Sequence, residues 1–415
     1  MKKLLSMLLC LVLICGMLVS CDEERVYGSY LPNYEGNEPE VEEKLTLNLY
    51  IITDDETAEN AKDTVALNIN LYTTSEETYN TDLRVHYYPA SRYFSKVSEV
   101  VADDGGSNAA NIVLINSYDM FIKFLADGVK FVDLTDYLST DEFGPLKVNI
   151  APALLEGIVT YDPNNKEDPS KIYAIPNNRR VGEYEYLLID KWAAKEFKAI
   201  APSMLDNGFG PGDSDFEQFV ADVEELRARI AASGKNPDDY IKTTKGCYED
   251  QALLEADGKY ECVITKYPTV NEEVAFSSAF AIIDRGENYN YRAMEIIYAI
   301  NMDKELHDLL QYGVEGINYF RDTNGDIVYE TKKDGKTEVI NEEARYSMNL
   351  EYTGNVFTAS YSASIDWTKD VAENVSKQLE MAVAELKYVA PEDSEEDSSN
   401  VGSEEGAEDT GDEAE

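Results

Sequence analysis

The feature that most restricts the fold is a repeated pairing of a strand-length apolar run with a stretch of helical periodicity. Leu45 to Thr53 reads LTLNLYIIT, Leu83 to Tyr88 reads LRVHYY, and Asn111 to Asn116 reads NIVLIN. Each run is rich in β-branched or aromatic residues and has the length of a strand. After the first run, Asp54-Asp55-Glu56-Thr57 starts a helix with acids near its positive end, and Ala61, Val65, Leu67, Ile69 and Leu71 continue it. After the second, a helix passes through Val97, Val100 and Val101 and breaks at Gly105-Gly106. MFIKFLADGV and FVDLTDYL follow as a helix, a glycine stop and a short return. Strands separated by helical stretches pair in parallel, and ligands are expected beyond their C-terminal ends.

Composition narrows the partners. The net charge of −45 opposes nucleic acid and anionic lipid headgroups, and it disfavours an anionic ligand. The 43% hydrophobic fraction and 29 tyrosines fit a packed globule. The 415 residues exceed what one core holds and suit two lobes. Residues 391–415 carry 12 acids and no base, a solvated, disordered acidic tail.

The amino terminus places Lys2 and Lys3 before an apolar run from Leu4 to Val19, short for a bilayer-spanning helix. Leu18-Val19-Ser20-Cys21 resembles a bacterial lipobox, which implies a signal peptide over 1–20 and lipidation at Cys21. An ordinary signal peptide or a single span is the alternative. Two acyl chains anchor stably at about 0.8 kcal/mol per buried methylene, where one is marginal. Residues 21–43 read as a polar tether. Cys247 and Cys262 then remain in the body, around a tight turn at Ala256-Asp257-Gly258-Lys259 expected to close a hairpin. They form either a disulfide, contributing about 3 kcal/mol, or two free thiols. His86 and His307 are the only histidines, so no zinc site is expected.

Farther along, YRAMEIIYAINMDKELHDLLQYG places Ala293, Met294, Ile297 and Ile300, then Leu306, Leu309 and Leu310, at helical spacing, with Gly313 as C-cap. Asn324-Gly325 and Asp334-Gly335 mark two successive hairpins. Asp322, Asn324 and Asp326 have the spacing of the first calcium-loop ligands, but an isoleucine replaces the glycine and Lys333 the closing glutamate. A hairpin turn fits better than a metal site.

Four stretches carry a resemblance: NIVLINSYDMFIKFLADGVKFVDLTDYL, KIYAIPNNRRVGEYEYLLIDKWAAKEF, the segment Ala275 to Phe320, and YSMNLEYTGNVF. In order and spacing they are similar to extracellular solute-binding lipoproteins of ABC importers, carbohydrate-type (family 1-like), clostridial-type members. The likeness covers most of Leu45 to Phe357. It implies a periplasmic-binding-protein-like type II fold, two α/β lobes joined by a hinge. Residues 44–176 plus 275–320 would make the first lobe and 177–274 plus 321–390 the second. The family continues after Tyr361 through several helices, whereas this chain offers one, WTKDVAENVSKQLEMAVAEL, so a reduced second lobe is expected.

The resemblance implies a lipid-anchored monomer on the outer face of the cytoplasmic membrane, with a separate permease and ATPase subunits and no cofactor. The chain has no GxxxxGK[ST] of its own. A neutral sugar needs aromatic faces and planar polar groups. The candidates are Asn116 and Tyr118 after the third strand, and Asn177, Asn178, Arg179 and Glu183 at the crossover. Tyr184 and Tyr186 lie beyond, alternating along a strand so that one face can equally be core. Tyr312, Glu315, Asn318 and Tyr319 follow the long helix, and Asn355 and Trp367 complete the set. A surface adhesin or structural module is the alternative. A glycoside hydrolase needs only paired carboxylates, but neither GxSxG nor HExxH occurs.

Overall fold

A computed structural model describes residues 43–53, 59–75, 79–161, 170–179, 181–201, 205, 210–246, 248, 250–333, 335–365 and 367–385. The signal peptide, Cys21, the tether up to residue 42, the expected helix start at Asp54-Asp55-Glu56-Thr57, Cys247, Asp334 and the acidic tail lie outside the described residues.

The three apolar runs form strands β1 (Leu45–Thr53), β2 (Thr81–Pro89) and β3 (Ile112–Ile115). All three are parallel, with Leu49 opposite both Val85 and Ile112. Helix α1 (Glu59–Thr74) joins β1 to β2, and α2 (Ala90–Val101) leads from β2 toward β3. On α1 the buried face is Ala61, Val65 and Ile69, a strict four-residue step, while Leu67 and Leu71 point outward at 58% and 61% exposure. Helix α3 (Tyr118–Ala126) follows β3, is capped by Ser117, and ends at Gly128 with a positive φ of 83°.

Two short helices, α4 (Gly144–Asn149) and α5 (Pro152–Ile158), and a small ribbon of β4 (Thr160–Tyr161) with β5 (Ser170–Lys171) precede β6 (Ala174–Pro176). The chain then leaves the first sheet. Strand β7 (Tyr184–Asp190) lies between β8 (Ile241–Gly246) and β9 (Tyr260–Lys266), antiparallel to both. Helices α6 (Lys191–Phe197) and α7 (Phe216–Ala232) cover one face of this three-stranded sheet, where Ile189, Phe219, Leu226 and Ile230 form a core of their own.

The return runs through β10 (Thr269–Val270), α9 (Glu272–Ala275) and β11 (Ala279–Ile282), with α8 (Asp250–Glu255) lying earlier, between β8 and β9. Strand β11 inserts between β3 and β6, giving the order β2-β1-β3-β11-β6. It is antiparallel to both neighbours, so the sheet is mixed rather than all parallel. The cause is connectivity: β11 enters from the second sheet, not over a crossover helix. The mixed α/β class is as expected.

Two local expectations change, and one open alternative is resolved. The turn at Ala256–Lys259 joins α8 to β9, so it is no hairpin, although Gly258 has the expected positive φ of 69°. Cys262, midway along β9, is a free and buried thiol, one of the two alternatives left open by the sequence; burial raises it to about 12. The long helical segment is two helices, α10 (Glu287–Met302) and α11 (Lys304–Tyr312), because Asp303 leaves helical geometry to cap Glu305.

The two hairpins are present: β12 (Phe320–Arg321) with β13 (Ile327–Val328), and β14 (Glu330–Lys333) with β15 (Lys336–Val339). Asp322 Oδ1 accepts the Asn324 and Asp326 N–H groups at 2.8 and 3.0 Å, which closes the first turn. Among the described residues no His/Cys/Asp/Glu group of metal-holding size occurs, and no helix is long and apolar enough to cross a membrane. Helix α12 (Lys369–Met381) and β16 (Val383–Ala384) end the described chain, β16 pairing with β10. Ile327, Tyr346, Val356, Trp367 and Leu379, from the stretch assigned above to the second lobe, bury in the same core as β1.

Candidate functional site

The register of the first sheet brings three chain segments together at one edge. Ala279 of β11 is opposite Ile115 of β3 and opposite Pro176 of β6. The next residues, Asn116, Ser278 and Asn177, therefore stand side by side where β3 and β6 end and β11 begins. This is the edge at which an α/β sheet presents its loops to a ligand.

Around it lie half-buried side chains of complementary chemistry. Tyr118, the first residue of α3, has its ring 5.5 Å from Phe276 and 6.4 Å from Phe121. Burial raises its phenol pKa, and the Glu272 and Glu273 carboxylates add to the shift. Arg179 Nε is 3.6 Å from Glu351 Oε1, and its Nη1 donates to Ser277 Oγ. Asn116 is also partly exposed, and Glu183 is exposed on the crossover.

Other predicted residues hold this edge together. Asn177, fully buried, donates from Nδ2 to Ser278 Oγ and to the Glu351 carbonyl, both at 2.9 Å. Its Oδ1 is buried without a hydrogen-bond partner. Asn178 donates to the Asn149 carbonyl at 2.6 Å and to Asn355 Oδ1 at 3.1 Å, while its Oδ1 accepts from Ala151 N–H. Asn355 also caps a short turn through Phe357 N–H. Apart from the Asn177 Oδ1, these buried polar groups are spent on fixing backbone.

The remaining candidates are drawn into packing elsewhere. Tyr184 and Tyr186 are wholly buried, stacked 5.8 Å apart in the second sheet beside Tyr248 and Tyr267. Tyr312 is buried and donates to the Ser360 carbonyl at 2.6 Å. Tyr319 packs against it at 6.2 Å, beneath Arg321. Asn318 accepts from Val314 N–H and donates to the Ala344 carbonyl, and Glu315 pairs with Arg321 at 3.3 Å. Trp367 is 4% exposed, with Phe357 and Tyr361 against its ring. The helical stop at Gly313 releases the chain into this cluster, not toward the sheet edge.

Sequence reasoning missed Ser277, Ser278, Glu351 and Gln378. Gln378 of α12 accepts from Val181 N–H at 3.2 Å and donates to the Gly182 carbonyl at 2.5 Å, tying the last helix to the crossover. The return of β11 into the sheet brings Ser277 and Ser278 to the crossover, and the chain after residue 340 brings Glu351 and Gln378; no local motif announces either. A cavity of about 720 Å³ opens at the other end of the same sheet, with Asp104, Phe124, Lys130 and Arg285 in its lining. Arg285 is committed there to the carbonyls of Ala110, Val100 and Val101, which it caps.

No protein-family model matches this chain, and no curated protein does. Among solved structures it is similar to an N-glycan transport solute binding protein from Streptococcus pneumoniae, with 17% identity over 82% of this chain and 84% of that one, and a TM-score of 0.48. It is similar to a family 1 extracellular solute-binding protein from Alicyclobacillus acidocaldarius, with 14% identity over 64% and 77% and a TM-score of 0.33. It is also similar to an ABC substrate-binding protein from Listeria monocytogenes in complex with cycloalternan, with 12% identity over 82% and 88% and a TM-score of 0.33. Likenesses at these scores and identities assign neither ligand nor partner to this chain.

Proposed function

We propose that this chain is a solute-binding protein that captures a small polar solute, a sugar or oligosaccharide, and delivers it to an ABC permease with separate ATPase subunits. The observation that carries this reading is the sheet edge where Asn116, Tyr118, Ser277, Arg179 and Glu351 meet, at the chain crossings between two α/β sheets. Tyr118 offers a ring face, while Arg179 and Glu351 offer planar donors and acceptors to hydroxyl groups. Glu183 lies on the same crossover and belongs to the proposed site.

Capture follows from differential contact. A solute that touches both sides of the crossing favours the closed arrangement, and reversing a 1:99 preference takes about 5.5 kcal/mol. Several buried hydrogen bonds at about 1 kcal/mol each, with ring stacking, reach that sum. The chain works as a monomer, held by lipid on Cys21 to the outer face of a bacterial cytoplasmic membrane, as in the clostridial-type members it resembles. The hinge divides it into a large lobe around the first sheet, which also takes the chain after residue 320, and a smaller lobe around the three-stranded sheet. It binds without turnover.

The test is a thermal-shift screen against neutral oligosaccharides, since a bound solute stabilises by RT ln(1 + [L]/Kd). A saturable shift lost in Tyr118→Ala and Arg179→Ala supports the proposal. Hydrolysed products, or no shift across the panel, refute it.

A further inference from the structure

The proposed solute edge holds more negative charge and more acceptors than its own groups answer. Helix α9 packs against α3, and the Phe276 ring that follows it lies 4.4 Å from Phe121 and 5.5 Å from Tyr118. This packing fixes Glu272 and Glu273, the first two residues of α9, beside the Tyr118 ring. Asn271 Oδ1 holds the turn by accepting from Val274 N–H at 3.1 Å. Glu273 is exposed and Glu272 half-buried. Burial raises the Tyr118 phenol pKa, and both carboxylates stand near enough to raise it further.

The cations of this edge are already engaged. Arg179 faces Glu351, with Nε 3.6 Å from Oε1, and donates to Ser277 Oγ. Lys123 of α3 lies 4.4 Å from the Phe94 centroid, drawn toward α2. Arg180 follows Arg179 in the chain and lies outside the described residues. Setting Arg179 against Glu351 and Arg180 against Glu183 still leaves Glu272, Glu273 and Asp119, the exposed second residue of α3. Glu273 and Asp119 form no ion pair among the described residues. Asn177 Oδ1 adds a second, independent sign at the floor of the same edge. Its residue is 0% exposed, and it accepts no hydrogen bond among the described residues. Such an edge favours a solute rich in donors, and an ammonium group offers three donors and no acceptor.

We propose that the solute of this edge is an amino sugar, with a pyranose ring against Tyr118 and a free ammonium group against Glu272 and Glu273. The assignment rests on the solute-binding reading above and names the class of sugar. A neutral sugar meets the ring face but leaves the carboxylates unanswered, and a uronic acid is repelled by them. In water-like surroundings one carboxylate about 6 Å from an ammonium group changes affinity about threefold, and two change it about tenfold.

The test is isothermal titration of the whole chain without its signal peptide, at about pH 6, where sugar amines are protonated. Three β-1,4-linked trisaccharides differ only at C2: the glucosamine trimer, the N-acetylglucosamine trimer and cellotriose. Trilysine matches the charge of the first and has no ring. One-to-one binding of the glucosamine trimer is expected, about tenfold tighter than either neutral trisaccharide, with the margin narrowing in about 0.3 M NaCl. Glu273→Gln, shown folded by circular dichroism, should cut that margin about threefold. Cellotriose or the N-acetylated trimer binding as tightly as the glucosamine trimer overturns the amino-sugar assignment and leaves the solute-binding reading standing. No binding by any of the three ends both. Trilysine binding as tightly as the glucosamine trimer assigns the signal to the acidic body and overturns the proposal. A margin unchanged by salt or in Glu273→Gln does the same.

Discussion

Two buried titratable groups on consecutive helices set opposite pH dependences, and single substitutions should expose each. His307 on α11 is fully buried, with neither ring nitrogen hydrogen-bonded among the described residues. Burial depresses its pKa from 6.5 to about 4, against a smaller upward pull from Asp308. The unfolded chain then takes up the proton first, so this contribution to stability is intact above pH 6.5 and drains as pH falls toward 4. Glu295 on α10 behaves inversely. Burial raises it from 4.5 to about 7, although Arg292 lies 2.7 Å away and pulls it down. Its contribution is intact below pH 4.5 and drains as pH rises toward 7. Between pH 7 and pH 5, linkage makes His307 cost about 2 kcal/mol and Glu295 return about 2 kcal/mol. The wild-type terms nearly cancel. In Glu295→Gln the histidine acts unopposed, so acidification from pH 7 to pH 5 should lower stability by about 2 kcal/mol relative to wild type. In His307→Met the same change should raise it by a similar amount. Urea denaturation at each pH, referenced to wild type, removes the shared background of the other carboxylates. Parallel pH profiles for all three proteins would refute the reasoning.

Other changes have definite outcomes. Gln378→Ala removes both hydrogen bonds to the crossover and should lower the unfolding free energy by about 2–3 kcal/mol, read by urea denaturation. Gly354 has a φ of 112°, and an added Cβ would lie 2.7 Å from Ile300 Cγ2, so Gly354→Ala should destabilise by a comparable amount. Burial holds the Cys262 thiol protonated. Peptide mapping after alkylation should find it unmodified in native protein and modified in urea.

The strands of the first sheet were legible because each is a short β-branched run flanked by helical spacing, and β1, β2 and β3 fall where LTLNLYIIT, LRVHYY and NIVLIN stand. The helix after β1 was legible from Ala61 to Leu71 but not in facing, since Leu67 and Leu71 fit an apolar stripe as well as Val65 does. The site was legible only in part. Tyr118 and Arg179 are polar or aromatic residues next to strand ends, which a local reading finds. Asn177, Asn178, Asn318 and Tyr312 look the same in sequence, yet their hydrogen bonds go to backbone carbonyls contributed by chain far away, at Glu351, Asn149, Ala344 and Ser360. A single sequence carries no signal for a polar side chain's distant partner. The mixed sheet was hidden for the same reason, because AFAI reads alike in either direction.

The insertion of β11 between β3 and β6 also governs the order of biosynthesis. Until residue 282 has emerged, β3 and β6 each lack their shared neighbour and present unsatisfied edges. A nascent chain cut anywhere before that point holds a gap in the middle of its main sheet, not at a border. Such a fragment is sticky rather than half-finished, and productive folding has to wait for the small sheet to be made first.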